Sequence, residues 1–307
     1  MMNTNLSGFF EYVGQDEIKF SLATLMTAAG KKQEPVHHFL LCGQPGMGKV
    51  TLSKIVAAKM GVNAKIASSQ AIEKIADLAT ILTNLRAGDL LVIEQIEAMR
   101  RQVLDMLISA ITDFTFEIVI GKGNSARNVK LRLPQFTLVG TTSKHTKVDE
   151  RLTKIMFVLN FAPYNVAEIS KIISLSVPQE IEIEDAATGL LAEHSNGCPS
   201  EAIIMIRKVH EYAIAYGDGK ITSKIAKEAL AVFGIKNNPP IYERQQIPDD
   251  VKMFVWQRDG GRCVKCRSQV NLEYDHIIPV SKGGSNTARN IQLLCENCNR
   301  AKGANLV

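Results

Sequence analysis

Nowhere in its 307 residues does the chain carry an apolar run near the length, about eighteen residues, that a membrane span requires. Its N-terminus, "MMNTNLSGFF", lacks the basic start and apolar core of a secretory signal. A cytoplasmic protein without a membrane partner is expected. Internal repeats and low-complexity tracts are missing too, which argues against a solenoid or a biased linker protein. Charge of one sign is not in large excess: 36 Lys and Arg stand against 31 Asp and Glu. With 46% hydrophobic and 22% charged residues the proportions are globular, and wholesale disorder is excluded. A chain of this length suggests two or three domains.

The small positive balance is unevenly spread. Residues 236–307 hold 11 basic and 7 acidic side chains, a balance of +4, and residues 1–235 hold 25 and 24. A basic terminal module hints at a polyanionic partner, although the same excess is common on soluble surfaces. Cysteine is scarce but clustered. Of six, Cys263, Cys266, Cys295 and Cys298 fall within 36 residues. In a cytosolic chain such a cluster reads as metal binding rather than disulfides. Cys42 and Cys198 are isolated and read as small buried apolar residues.

Strands and helices alternate through the first half. Residues 37–61 read as strand, glycine-rich turn and helix, and a helical pattern at 71–85 precedes the strand "DLLVIE". A helix across 99–113 comes next, then a β-hairpin about Gly121–Gly123, then the strands "FTLVGTT" and "IMFVLNF". This alternation predicts a parallel sheet covered on both faces. After Pro163 helical patterns run over about 165–176, 184–195, 199–216 and 222–233. The expected division is an α/β domain over 1–162, a small helical domain over 163–235, a proline-containing linker over 236–249 and a compact module over 250–307.

"GQPGMGKV" satisfies the phosphate-loop template G-x-x-x-x-G-K-[S/T] everywhere but its last position. Gly43, Pro45, Gly46, Met47, Gly48 and Lys49 are the expected phosphate-binding set. The glycines let backbone N–H groups wrap phosphate oxygens, Lys49 adds a point charge, and the following helix aims its positive end there. Val50 stands where a hydroxyl would ligate Mg²⁺. A bound ATP or ADP is expected.

Residues 6 to 235 resemble RuvB, a family of AAA+ ATPases that drive branch migration of Holliday junctions. The resemblance is carried by "FFEYVGQDEIK", "HHFLLCGQPGMGK", "DLLVIEQIEAM", "FEIVIGKGNSARNVKLRLPQFTLVGTT" and "NGCPSEAIIMIRKVHEYA". It implies an AAA+ P-loop domain with a helical lid, an adenine pocket near Tyr12 and Val13, and ring-forming ancestry. It also implies losses. Glu94 replaces the family's metal-holding Asp, and Gln95 its water-activating Glu. Thr153 and Ile155 in "ERLTKIMF" replace arginines that reach a neighbouring subunit's nucleotide, and Ser200 replaces the lid's sensing arginine. A carboxamide takes no proton at neutral pH, and loss of a general base typically costs roughly 10²–10⁴-fold in rate. Glu97 is read as a solvated charge on a helix face. The expectation is a nucleotide-binding ATPase shape that does not turn ATP over by itself.

The terminal module has a second resemblance, to HNH endonucleases, over about 250–305. Its core is "CVKC" followed by "LEYDHIIPVSKGGSNTARNIQLLCENCNRAK". Two C-x₂-C pairs separated by 28 residues suit one tetrahedral site in which Cys263, Cys266, Cys295 and Cys298 hold a structural Zn²⁺. The resemblance implies a zinc-stabilised ββα-metal module. In it His276 is the general base, Asp275 and Asn299 hold a catalytic Mg²⁺ or Mn²⁺, and Asn290 braces the hairpin that orients His276. Arg258, Arg262, Arg289, Arg300 and Lys302 are candidate contacts to DNA phosphates. Trp256 is read as core rather than as a base-stacking platform.

Two functions of different class follow. One is a metal-dependent DNA endonuclease on a nucleotide-binding platform, a homo-oligomer or a hetero-assembly with another ATPase or DNA-binding protein. The other is an assembly subunit that positions an active ATPase or junction-binding partner without cutting.

Overall fold

The computed structural model describes residues 9, 12–120, 127–178, 180–235, 247–278 and 286–302. The chain separates into two compact units, Met1–Asn237 and Asn238–Val307.

The larger unit begins with α1 (Asp16–Lys32) and continues β1 (Phe39–Cys42), α2 (Lys49–Met60), β2 (Ala64–Ser68), α3 (Ile75–Thr83), β3 (Leu90–Glu94) and α4 (Arg101–Asp113). An antiparallel ribbon of β4 (Thr115–Ile120) and β5 (Arg127–Arg132) follows. Then come β6 (Thr137–Thr142), α5 (Glu150–Ile155) and β7 (Phe157–Asn160). Five strands form a parallel sheet in the order β2-β3-β6-β1-β7.

Side chains alternate between faces along a strand, and here both faces are dry. Phe39, Leu41, Leu90 and Val92 enter one apolar core with α1 and α2, while Leu40, Leu91, Ile93 and Leu138 enter the other with α3 and α4. The first core runs on into the helical segment of α6 (Val166–Ser176), α7 (Asp185–His194), α8 (Pro199–Tyr216) and α9 (Ser223–Val232). Their starts are locally encoded. Asn165 and Glu168 form a capping box, Pro199 opens α8, and Thr222 accepts from the Ile225 N–H.

The smaller unit consists of α10 (Asp249–Asp259), an antiparallel ribbon of β8 (Leu272–His276) and β9 (Ile291–Cys295), and α11 (Glu296–Lys302). Ile247, inside the stretch read as linker, already packs against the cluster of Val255, Ile291 and Leu293.

Three readings change. β2 has no counterpart in the sequence reading, because it is a partly exposed edge strand whose alternation is weak. The helical pattern at 71–85 becomes a 3-10 turn over Ser69–Ala71 and then α3. Trp256 is not core: it is 47% exposed, and α10 buries Val255 instead. The hairpin turn at Gly121–Gly123 lies outside the described residues. No helix among the described residues is long and apolar enough to cross a membrane.

Candidate functional site

The glycine-rich loop joins the end of β1 to α2. Gly46 and Gly48 take left-handed backbone (φ 81° and 86°), which an L side chain resists. A Cβ on Gly46 would lie 2.7 Å from the Ser200 Cβ, and one on Gly48 2.6 Å from the Tyr12 hydroxyl. Lys49 is buried, and its ammonium donates to the carbonyls of Gly43 and Gln44, each at 2.6 Å. Burial pulls its pKa below the ordinary lysine value.

Aromatic hydroxyls and the helical segment close over this loop. Tyr12 Oη lies 2.9 Å from Tyr164 Oη and donates towards the Met47 and Gly48 carbonyls at 3.3 Å. Tyr164 Oη reaches the Met47 carbonyl at 3.2 Å, and burial pushes this phenol up to about 12. The Ser200 N–H donates to the Gly46 carbonyl and the Cys198 thiol to that of Pro45. Tyr12 and Val13 line a cavity of about 360 Å³ with Asn165, Glu168 and Lys171. Tyr164 is a site neighbour that the sequence reading missed, since 152 positions separate it from Tyr12.

Glu94 ends β3 and is half-buried. Gln95 turns away. Its backbone is left-handed (φ 53°), its side-chain oxygen accepts from Gln70 at 3.2 Å, and its carbonyl accepts from Ser69 at 2.7 Å. Glu97 is not the solvated charge read from sequence. One carboxylate oxygen accepts from the Ser143 N–H at 3.4 Å, and the other is buried with no hydrogen bond among the described residues. In "ERLTKIMF", the Thr153 hydroxyl donates to the Glu150 carbonyl and Ile155 is 41% exposed. Arg151 is tied to Asp149 and Asp105, each at 2.8 Å, and its guanidinium holds Asp149 down at about 2.

In the smaller unit the four cysteine sulfurs lie within 4.8 Å of one another, and Cys266 and Cys295 are 3.5 Å apart. Zn–S bonds of about 2.3 Å in a tetrahedron put sulfurs about 3.8 Å apart, so the set fits zinc with small adjustments. The first pair sits on a tight knuckle. The Arg267 N–H donates to the Cys263 carbonyl, the Cys263 N–H to that of Ser268, and Arg267 takes φ 64°. Cys295 ends β9 and Cys298 lies in the first turn of α11. Burial works against ionisation of Cys263, but the N–H groups of Cys266, Cys295 and Lys265 bring its thiol down to about 6. Hydrogen bonds with Cys295 and Cys266 push Cys298 up to about 12.

Asp275 and His276 close β8, on opposite faces by strand alternation. Asp275 Oδ2 accepts from Lys302 at 2.6 Å and from Gln292, its cross-strand partner, at 3.1 Å. The Lys302 ammonium also donates to the His276 carbonyl. His276 Nε2 lies 2.6 Å from Asn286 Oδ1, and a carbonyl oxygen there requires the ring to donate. The lone pair therefore sits on Nδ1. Asn290, 8% exposed, clasps the backbone N–H and carbonyl of Ile278 through its amide. Asn299 donates to Glu273 at 2.7 Å. Asp275 Oδ1 and Asn299 Oδ1 take no hydrogen bond among the described residues, and a carboxylate and a carboxamide oxygen are the kind of hard donor a divalent cation takes.

Two suggested DNA contacts are taken up internally. Lys302 is 8% exposed and bound to Asp275, and Arg258 grips Asp259 and the carbonyls of Ala288 and Ile291. Removing one partner of a buried ion pair costs up to roughly 3–5 kcal/mol. Because Asp275 is partly exposed, Lys302→Met is expected to fall at or below the lower end of that range, read as a lowered melting temperature of the terminal module. An unchanged melt would show the pair to be energetically idle. Asn286 and Gln292 were also missed. Asn286 lies in a stretch that reads only as turn, and Gln292 in one that reads only as strand.

Residues 6–159 match the family model of the Holliday junction DNA helicase RuvB P-loop domain. The chain belongs to the RuvB family. Residues 164–236 match the RuvB AAA lid domain, and residues 263–305 match the HNH endonuclease family. The chain is therefore a RuvB-type P-loop and lid pair joined to an HNH endonuclease domain. It is 41% identical over 224 residues to the Holliday junction branch migration complex subunit RuvB of Thermomicrobium roseum, spanning 72% of this chain and 63% of that protein. It is 41% identical over 227 residues to the Kosmotoga olearia subunit of the same description, spanning 73% and 66%. The matched region thus spans less than two thirds of those relatives' length. Among solved structures, a point mutant of Thermotoga maritima RuvB aligns with TM-score 0.67 and 29% identity, covering 84% of this chain and 82% of that one. The Thermotoga maritima RuvB Holliday junction branch migration motor aligns with TM-score 0.65 and 28% identity, covering 85% and 82%.

Proposed function

We propose that this RuvB-family chain is a metal-dependent DNA endonuclease whose AAA+ platform binds ATP or ADP without turning it over. The nuclease reading rests on His276, whose Nε2–H is held by Asn286 so that Nδ1 can take a proton, beside Asp275 at the end of β8. In the proposed step water oxygen bonds to phosphorus, its proton passes to Nδ1, and one bridging P–O bond breaks. Asn290 positions the loop after His276 by holding Ile278. Asp275 and Asn299 would hold a divalent ion, Mg²⁺ or Mn²⁺, which would supply neutralisation of the charge that builds on the phosphate and leaving oxygen. Supercoiled plasmid incubated with the full chain and Mg²⁺ or Mn²⁺ should be nicked or linearised, and EDTA should stop it. Intact plasmid under every metal condition would refute the nuclease reading.

The platform reading rests on a phosphate loop complete but for Val50, and on Gln95 at the position where the family's base is expected. Fluorescent mant-ATP should bind the full chain, and Lys49→Ala should weaken binding. Steady-state hydrolysis should be negligible, and Gln95→Glu alone should not restore it, because no hydroxyl stands at 50 and no arginine at 153, 155 or 200. Rapid turnover by the isolated wild-type protein, lost in Lys49→Ala, would overturn this. With turnover negligible, nucleotide acts as a ligand that favours one assembly of this chain, with itself or with a partner ATPase, through differential binding. Defence or mobile-element biology is the setting such a fusion suits.

A further inference from the structure

We infer that Lys302 is a positioning residue of the proposed nuclease site: it holds Asp275 by one carboxylate oxygen, leaves the other to a divalent ion, and keeps the resting site's affinity for that ion low. This rests on the reading that Asp275 holds such an ion.

Strand and helix periods bring the groups together. Residues two apart on β8 share a face, so Glu273 and Asp275 lie on one side and His276 on the other. On α11, Asn299 and Lys302 are three apart and stand on one face. The two pairs meet: Asn299 donates to Glu273 at 2.7 Å and Lys302 to Asp275 at 2.6 Å. The Lys302 ammonium also donates to the His276 carbonyl, so one charge ties the helix to both residues of the Asp-His pair. Gln292, from β9, donates to the same Asp275 oxygen that Lys302 takes. Oδ2 is thus doubly held, and Oδ1 takes no hydrogen bond among the described residues.

Burial decides what the charge acts on. The Lys302 side chain is 5% exposed, too deep to meet a DNA phosphate, whereas that of Asp275 is 20% exposed and open to an ion. Of the two proposed ligands only Asp275 is charged, and Lys302 already matches that charge. Glu273, on the same face, is exposed, and its charge is screened by water. A divalent ion sharing one carboxylate with a buried ammonium is repelled by it, with little screening. A substrate phosphate brings the negative charge that offsets this repulsion. Lys302 thereby ties loading of the ion to the arrival of DNA.

The test is titration of the full chain with Mn²⁺, without DNA or nucleotide, read from the electron paramagnetic resonance of the free ion. Asp275→Asn in each background identifies the ion held at this site. Lys302→Met should bind that ion about tenfold more tightly than wild type, equivalent to about 1.4 kcal/mol. Lys302→Arg, which keeps the charge, should bind as weakly as wild type. A merely structural ion pair would lower the melting temperature of Lys302→Met without tightening Mn²⁺. Zinc content and the melting curve report folding, and Lys302→Gln, which keeps an N–H donor, takes the place of Lys302→Met if that variant does not fold. Mn²⁺ held no more tightly by the folded neutral variant would overturn the role of Lys302 and leave the ion site standing. Mn²⁺ binding that ignores Asp275 in every background would instead overturn the ion site itself.

Discussion

Replacing His276 by alanine should reduce plasmid cleavage by roughly 10²–10⁴-fold, the usual worth of a positioned general base. The imidazole carries a fixed tautomer, since a hydrogen bond of 2.6 Å to a carboxamide oxygen needs the proton on Nε2. Alanine removes the acceptor on Nδ1 without removing Asp275 or its partners Lys302 and Gln292. Divalent-ion binding should therefore survive while cleavage falls. The measurement is the initial rate of loss of supercoiled plasmid in Mg²⁺ and in Mn²⁺, with the melting curve of each protein as the control for folding. A His276→Ala protein that cuts at the wild-type rate would remove His276 from the chemistry, and any residual cutting would have to come from elsewhere in the chain.

Withdrawal of zinc should be as consequential for the terminal module. Its apolar interior is small: Val255, Ile291 and Leu293 form one buried cluster, and Leu294 with Cys263 and Cys295 forms another. Two of the three buried residues in the second cluster belong to the four-cysteine group, so a metal held there would be part of the core. Structural zinc sites contribute about 10–16 kcal/mol of apparent binding free energy at neutral pH in small domains, more than such a core supplies. Binding also expels protons, because Cys298 holds its proton up to about 12 and a bound thiolate holds none. Cys295→Ser should therefore unfold residues 250–302 while leaving the larger unit folded, seen as protease sensitivity confined to the C-terminal part. Elemental analysis should find one zinc per wild-type chain. Well under one equivalent in a module that still resists protease would refute a structural zinc.

Much of the architecture is legible because its signals are short. The glycines and lysine of 43–49 specify a phosphate loop within seven residues, and each cysteine pair specifies its own knuckle. The helices of the second segment announce themselves through period and caps, and α6, α8 and α9 lie close to where the pattern puts them. β2 was illegible for the opposite reason. Five half-exposed residues at a sheet edge carry no strong alternation, and the pairing of Ala64–Ser68 with β3 makes them a strand.

Side-chain roles divide along the same line. Sequence by itself determined which groups are available: a phosphate loop without its hydroxyl, Glu94 and Gln95 at the end of an apolar strand, four cysteines in two pairs, and an Asp-His pair with Asn290 and Asn299. Only the tertiary structure decided what each group faces. It turned Glu97 to the Ser143 N–H, set Tyr12 against Tyr164, bound Lys302 to Asp275 and Arg258 to backbone carbonyls, and left Trp256 largely outside the core. The physical reason is range. A motif read along the chain reports contacts within a turn or a knuckle, whereas these partners lie 27 to 152 positions apart and meet only after separate elements have packed.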